Sequence, residues 1–175
     1  MPRNLETSNE LRRPFKAVEK RLAGRQILLT TRDASDRMAS VRRKGTEPEI
    51  VVRRAISYLG YRYTLHNKDL PGSPDLANRS HKWAVFVHGC YWHHHDGCFR
   101  ATTPKSNTKF WLAKFEANKR RDVEALDALN RMGYAVATIW ECECRSPELT
   151  RVALRRFLRR RPTGQLPAIC PNCAA

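Results

Sequence analysis

An apolar run that stops at a cluster of histidine and cysteine is the feature that most limits this chain. Trp83 to Val87 is continuous and apolar, Gly89 breaks the run, and His88, Cys90, His93, His94, His95 and Cys98 crowd around the break. A short continuous apolar run reads as a strand buried on both faces, inside a sheet covered by helices. Its end must then carry ligand-type side chains on a loop with little core of its own. Four of the six histidines of the chain lie here.

The loop spacing fits zinc. Cys90, His95 and Cys98 form a C-x4-H-x2-C pattern. Zinc takes four nitrogen or sulfur ligands in a tetrahedron, so a fourth must come from elsewhere. Cys142, just past an apolar strand that ends at Trp140, is the best candidate, and Cys144 competes with it. If that strand lies beside Val85 to His88, the two C-terminal ends meet and Cys142 reaches the loop. A closed Cys3His site leaves no open position and is structural. Such ligation contributes on the order of 10 kcal/mol to folding. The N-terminus has no signal-peptide apolar region, which predicts a cytoplasmic protein in a reducing compartment. Metal ligation or free thiols, rather than disulfides, then account for the six cysteines. Cys170 and Cys173 have no obvious partners and are expected to be free thiols in a solvated tail.

The remaining pattern predicts an α/β fold with a mixed sheet flanked by helices. Thr46-Glu47-Pro48-Glu49 forms a capping box opening a helix from Glu47 to Leu59, and Gly60 sits at its stop. Tyr61 to His66 alternates as a strand would. Asp75 to Ala77 is a short strand, joined by a turn over residues 78–81 to the strand Lys82 to His88. Thr108 to Met132 is expected to be helical in two pieces around Asn118, with Val123, Leu126, Leu129 and Met132 lining the second. Tyr134 to Trp140 is another strand, and Pro147 to Arg160 a last helix. Three regions follow: a basic N-terminal arm over residues 1–36, a folded domain over 37–160, and a tail over 161–175. Within the arm, a turn or two of helix is expected between Glu10 and Leu22, interrupted by Pro14, and Gln26 to Thr31 is a short apolar run without alternation; the arm is expected to be mobile or loosely attached.

Charge narrows the partner. A formal net charge of +16 on 175 residues draws a polyanion, chiefly nucleic acid, through phosphate contacts and counterion release. No apolar run approaches the roughly 20 residues of a membrane span. Pro74-Asp75, followed by a buried strand, is the skeleton of the PD-(D/E)xK nuclease motif. The second half of that motif falls on Phe86-Val87-His88, so its acidic residue is absent and His88 stands in the place of lysine. Asp75 is placed to offer a carboxylate to magnesium, which prefers oxygen ligands.

These residues together resemble the Vsr family of very-short-patch-repair mismatch endonucleases. The resemblance rests on Phe86-Val-His-Gly-Cys-Tyr-Trp-His-His-His, Leu70-Pro-Gly-Ser-Pro-Asp75, Thr46-Glu-Pro-Glu49 and Trp140-Glu-Cys142, in order, from about Asp33 to Cys142. It implies a restriction-endonuclease-like fold with structural zinc on Cys90, His95, Cys98 and Cys142. It also implies magnesium-dependent nicking of one DNA strand 5′ to the thymine of a T:G mispair. By position, Asp75 corresponds to the magnesium carboxylate, aided by the main-chain carbonyl of Val87. His93 and His88 correspond to active-site histidines, and Glu49 to a helix-borne carboxylate touching the metal's waters. Met38, Tyr91 and Trp92 correspond to side chains that wedge into the base stack. The spacing departs in one place, where Asp96-Gly97 puts Cys98 one residue further on than in some family members. His94 gains no role and is expected in solvent.

The wedge also makes physical sense. Consecutive aromatics on a metal-fixed loop suit insertion, which costs least beside a mispair. Expected partners are duplex DNA with a T:G mismatch, a mismatch-repair linker protein and a DNA polymerase. The chain is expected to act as a nucleoid-associated monomer. Two alternatives stay open: a PD-(D/E)xK endonuclease acting on paired DNA, and a noncatalytic zinc-stabilised DNA-binding module.

Overall fold

A computed structural model describes residues 18–22, 25–30, 36, 38–42 and 44–159. The described part falls into two units, residues 1–41 and 42–175. In the first, β1 (Val18–Leu22) pairs antiparallel with β2 (Arg25–Thr30), with a register shift between Lys20 and Leu22. Residues 18–22 are therefore strand, not the end of the expected helix; the part of that helix before residue 18 lies outside the described residues. The apolar run that begins at Gln26 lies in β2 and finds its backbone partners in β1.

The second unit is built on three strands, β3 (Leu76–Asn78), β4 (Trp83–His88) and β5 (Ala135–Trp140), in that spatial order. β3 runs antiparallel to β4, and β5 runs parallel to it. A parallel neighbour needs a long crossover, which α2 (Thr108–Arg131) supplies. α1 (Glu47–Tyr58) precedes the sheet and α3 (Pro147–Arg159) follows it. The mixed, helix-flanked sheet agrees with expectation. No described helix is long and apolar enough to cross a membrane.

The period of two along β4 sorts the layers. Trp83 and Val85 face a core made with Val52, Ala55 and Ile56 of α1 and Leu154 and Phe157 of α3. Ala84 and Phe86 face the other way, against Ala125 and Leu129 of α2. The central strand is thus buried on both faces, as its unbroken apolar sequence requires. His88 continues the even-numbered series and so ends on the α2 side.

Three expected elements differ. Residues 61–66 form no strand, only an isolated bridge between Thr64 and Ala77. The reason is local: His66 adopts φ of 57°, and the Asn67 amide donates to Thr64 O and Pro74 O, so these acceptors serve a side chain rather than a ladder. α2 is one unbroken helix, because Asn118 turns its amide away to donate to Trp92 O at 2.6 Å instead of competing for its own backbone. Val123 and Met132 do not line the core; both are exposed.

Candidate active site and metal cluster

Register brings the ends of β4 and β5 level. His88 pairs with Trp140, so Cys90 and Cys142 leave their strands two residues later at the same height. Glu141 N donates to His88 O at 2.9 Å, and Cys90 N donates back to the Glu141 carboxylate at 3.3 Å. The loop then coils on itself, with His93 N donating to Gly89 O and His95 N to Cys90 O. This gathers Cys90, His95, Cys98 and Cys142, with ligand atoms all within 4.8 Å of one another.

The cluster fits a tetrahedral ion. Bonds of about 2.0–2.3 Å to zinc imply ligand-to-ligand distances of about 3.3–3.8 Å. Cys90 Sγ lies 3.7 Å and Cys142 Sγ 3.4 Å from His95 Nδ1. Burial pushes the Cys90 thiol up to about 11, so its thiolate needs a cation beside it. None of the four cysteines from Cys90 to Cys144 forms a disulfide. Cys144, the competing candidate, is instead buried in the α1–α3 core, and its thiol is pushed up to about 12 by burial. The Trp140 ring stacks on His95 at 4.0 Å and covers the cluster.

Asp75 sits just ahead of β3, and its Oδ2 accepts from Val87 N at 2.7 Å. The carboxylate thus extends the β3–β4 ladder by one bond and is fixed against the end of β4. Burial, opposed by the Val87 bond and reinforced by the Glu49 charge, pushes Asp75 up to about 6. Glu49 is buried and heavily bonded. It accepts from Gly45 N, Thr46 N, Thr46 Oγ1 and Arg53 Nη2. The capping role read from the sequence is present, and it coexists with a place in the electrostatic surroundings of Asp75.

A third acidic group was missed. Asp122 of α2 lies 2.6 Å from His93 Nδ1 and 3.9 Å from His88 Nδ1. The two imidazoles stack at 3.7 Å with planes 9° apart. Burial first, then the neighbouring His93, lowers His88 to about 3, against the opposing pull of Asp122. His88 is therefore neutral near pH 7. The bond to Asp122 fixes one nitrogen of His93 and leaves Nε2 to take or give a proton. These three residues also form a group able to hold a metal. One signal could have revealed Asp122: it falls on the α2 stripe that includes Phe115, Ala125 and Leu129, where a carboxylate needs a buried partner.

The loop's aromatics pack on the same helix. Tyr91 meets Trp92, Trp111 and Phe115 edge-on, with centroids 5.1, 5.8 and 5.6 Å away. Lys114 Nζ lies 5.7 Å from both the Trp92 and Trp111 ring centres. Trp92 and Tyr91 are half-buried, and they gather with α2 rather than over the Cys/His cluster. His94 is not in solvent as expected: it is half-buried and stacks on Phe115 at 4.7 Å. Met38 belongs to the first unit and is exposed.

Comparison with known proteins points the same way. A family model described as DNA mismatch endonuclease Vsr matches residues 28–99. The chain is 44% identical over 121 residues to the type II nicking enzyme V.XorIIP of Xanthomonas oryzae pv. oryzae, covering 69% of this chain and 88% of that one. It is 37% identical over 132 residues to the type II nicking enzyme V.NmeAIP of Neisseria meningitidis, covering 75% and 94%. It is 34% identical over 130 residues to the DNA mismatch endonuclease Vsr of Escherichia coli K12, covering 72% and 83%.

Proposed function

The chain belongs to the Vsr family of DNA endonucleases, and we propose that it nicks one strand of duplex DNA 5′ to the thymine of a T:G mispair, starting short-patch repair. The observation that supports this most is that Asp75 is fixed on Val87 N, one residue before His88, whose ring stacks on His93 beside Asp122. Hydrolysis of a phosphodiester needs charge neutralised on phosphate and a proton taken from water. A half-buried carboxylate and a carboxylate-held imidazole are the groups that serve these two needs.

Asp75 and the Val87 carbonyl suit magnesium, an oxygen-preferring ion. When bound, it supplies positive charge to the phosphate and acidifies water. The chain's own residues do the rest. Asp122 holds His93 so that Nε2 accepts the proton of the attacking water. His93 is the better base because its side chain is 26% exposed, whereas that of His88 is 9% exposed. His88 packs flat on His93 and keeps its ring in place. Glu49 orders water about the metal site. Tyr91 and Trp92, supported by α2, supply rings to insert beside the mispair, with Met38 a third DNA contact. Zinc on Cys90, His95, Cys98 and Cys142 would hold the loop that carries these groups.

On this reading the partner is mismatched duplex DNA, met by a monomer at the nucleoid, with a mismatch-repair linker protein and a polymerase acting afterwards. A second reading is favoured by the relatives named type II nicking enzymes: nicking of correctly paired DNA at a fixed sequence. Parallel incubation of T:G and T:A duplexes with magnesium separates the two. Nicking confined to the T:G strand supports the first reading, and equal nicking of both duplexes supports the second. Tight binding with no cut would leave a DNA-binding module.

A further inference from the structure

Phe99 is an aromatic side chain that the folded domain leaves outside its core. It follows Cys98 directly, and the two side chains part: the thiol is buried in the Cys/His cluster, whereas the ring is 69% exposed. The chain turns tightly there, since Ala101 N donates to Cys98 O at 2.9 Å. The ring is not bare. The guanidinium carbon of Arg145 lies 5.5 Å from its centre, and that of Arg100 lies 6.0 Å away. The two cations are held differently. Arg100 pairs with Glu141, whereas Arg145 is exposed and joins none of the arginine ion pairs among the described residues. An exposed ring therefore carries a cation whose charge no described carboxylate balances.

Contacts connect this patch to Trp92. Glu141 accepts from Arg100 through one carboxylate oxygen and from Cys90 N through the other, at 3.3 Å. A Cβ at Gly89 would lie 4.0 Å from that second oxygen and 3.3 Å from Trp92 Cδ1. Trp92 and the Arg100–Glu141 pair thus both border Gly89, and the Phe99 patch continues the surface that bears Trp92. The chemistry of the patch suits a nucleic-acid backbone. A guanidinium beside a ring face keeps N–H groups at its edge to donate to phosphate, and the ring offers an apolar face to the sugar next to it. Contacts of this kind set the position of a duplex without reading its sequence. An acidic protein would also meet the arginines, but continuity with Trp92 favours DNA.

We propose that Phe99 and Arg145 form a further DNA contact beside Trp92, with Arg145 donating to a backbone phosphate of the duplex that flanks the mispair and the Phe99 ring packing on the adjoining deoxyribose. Both are positioning residues. They hold the duplex in register with the loop and take no part in breaking the bond. The inference rests on the reading above only in taking duplex DNA as the ligand.

The test is equilibrium binding of the full chain to a T:G duplex over a range of salt, without added magnesium. Arg145→Gln should weaken binding about tenfold, the scale of one hydrogen bond to a charged group. It should also make the slope of log K against log salt shallower by about 1, because one phosphate is no longer neutralised. Arg145→Lys should keep the wild-type slope. Phe99→Ala should weaken binding as well, and the double variant should lose less than the product of the two single losses, since ring and guanidinium touch. With magnesium and saturating protein, Arg145→Gln should nick within about twofold of wild type, as expected for a residue used in binding alone. Wild-type affinity in Arg145→Gln, or weaker binding with the wild-type slope, overturns the proposal; the first of these outcomes leaves the patch to a protein partner. Should Phe99→Ala lose its fold through its neighbour Cys98, the slopes of the two Arg145 variants decide. A wild-type chain that binds the duplex but never cuts it removes the nuclease reading and leaves this one to stand or fall on the slopes. A wild-type chain that binds no duplex DNA overturns both.

Discussion

His93 and Asp122 meet at 2.6 Å although 29 positions separate them in the chain. The contact joins the loop after β4 to the middle of α2, and it gives the loop's imidazole a fixed orientation. Asp122→Asn keeps the shape but offers His93 an amide that can donate as well as accept. Single-turnover nicking should fall by roughly 10²–10⁴-fold, while DNA affinity without metal stays within about twofold. Unchanged nicking would assign Asp122 a purely structural place.

Asp75 links activity to a stability cost. Its carboxyl is pushed up to about 6 from an ordinary 3.8, by burial first. The folded state therefore holds this proton more tightly than the unfolded chain does. The resulting stability is full below the unfolded value and is lost as pH rises through about 6. Asp75→Asn, measured without metal, should melt at a higher temperature than wild type at about pH 8 and lose that advantage by about pH 4. The same substitution should abolish nicking. In wild type, nicking should decline as pH falls through about 6, where Asp75 takes up its proton and loses its charge for the metal.

The two neighbouring cysteines after β5 should behave differently. Cys142 lies in the Cys/His cluster, and Cys144 lies in the core. Cys142→Ser should lose bound zinc and melt many degrees lower, since metal ligation is folding free energy. Cys144→Ser should keep about one zinc per chain and lose only the packing of its thiol. Metal analysis and melting of both variants check this, and a chelator should lower wild type toward Cys142→Ser.

Trp92 is the cleaner probe of the proposed wedge. Tyr91 meets Trp92, Trp111 and Phe115, whereas Trp92 meets Tyr91 and, at 6.3 Å, Trp111, so removing Tyr91 disturbs more of the packing against α2. Trp92→Ala should reduce the preference for T:G over T:A duplex by about tenfold, the scale of one lost stacking contact. Its melting temperature should fall less than that of Tyr91→Ala, which loses more aromatic contacts.

What could be read in the sequence followed from pattern. The unbroken apolar run of β4 announced burial on both faces, and the capping box announced α1 and its start. The zinc spacing gathered three residues on one loop, and the apolar strand ending at Trp140 pointed to Cys142. Other features depended on contacts between distant segments. Asn118 looked like an interruption until Trp92 O accepted its amide. Asp122 was one charge among many on α2, and only the even-numbered face of β4 aims His88 toward it. Residues 61–66 alternate like a strand, yet the left-handed His66 and the buried Asn67 divert the backbone.

The level ending of β4 and β5 also sets an order of assembly. Cys90 and Glu141 are 51 positions apart, with all of α2 between them. A growing chain therefore presents His88, His93 and Asp122 well before it presents the strand that ties their loop down. Until β5 is paired, Cys90, His95 and Cys98 lack their fourth partner. A chain that stops short of β5 thus carries the loop without the Glu141 and Cys142 contacts that hold it in the folded protein.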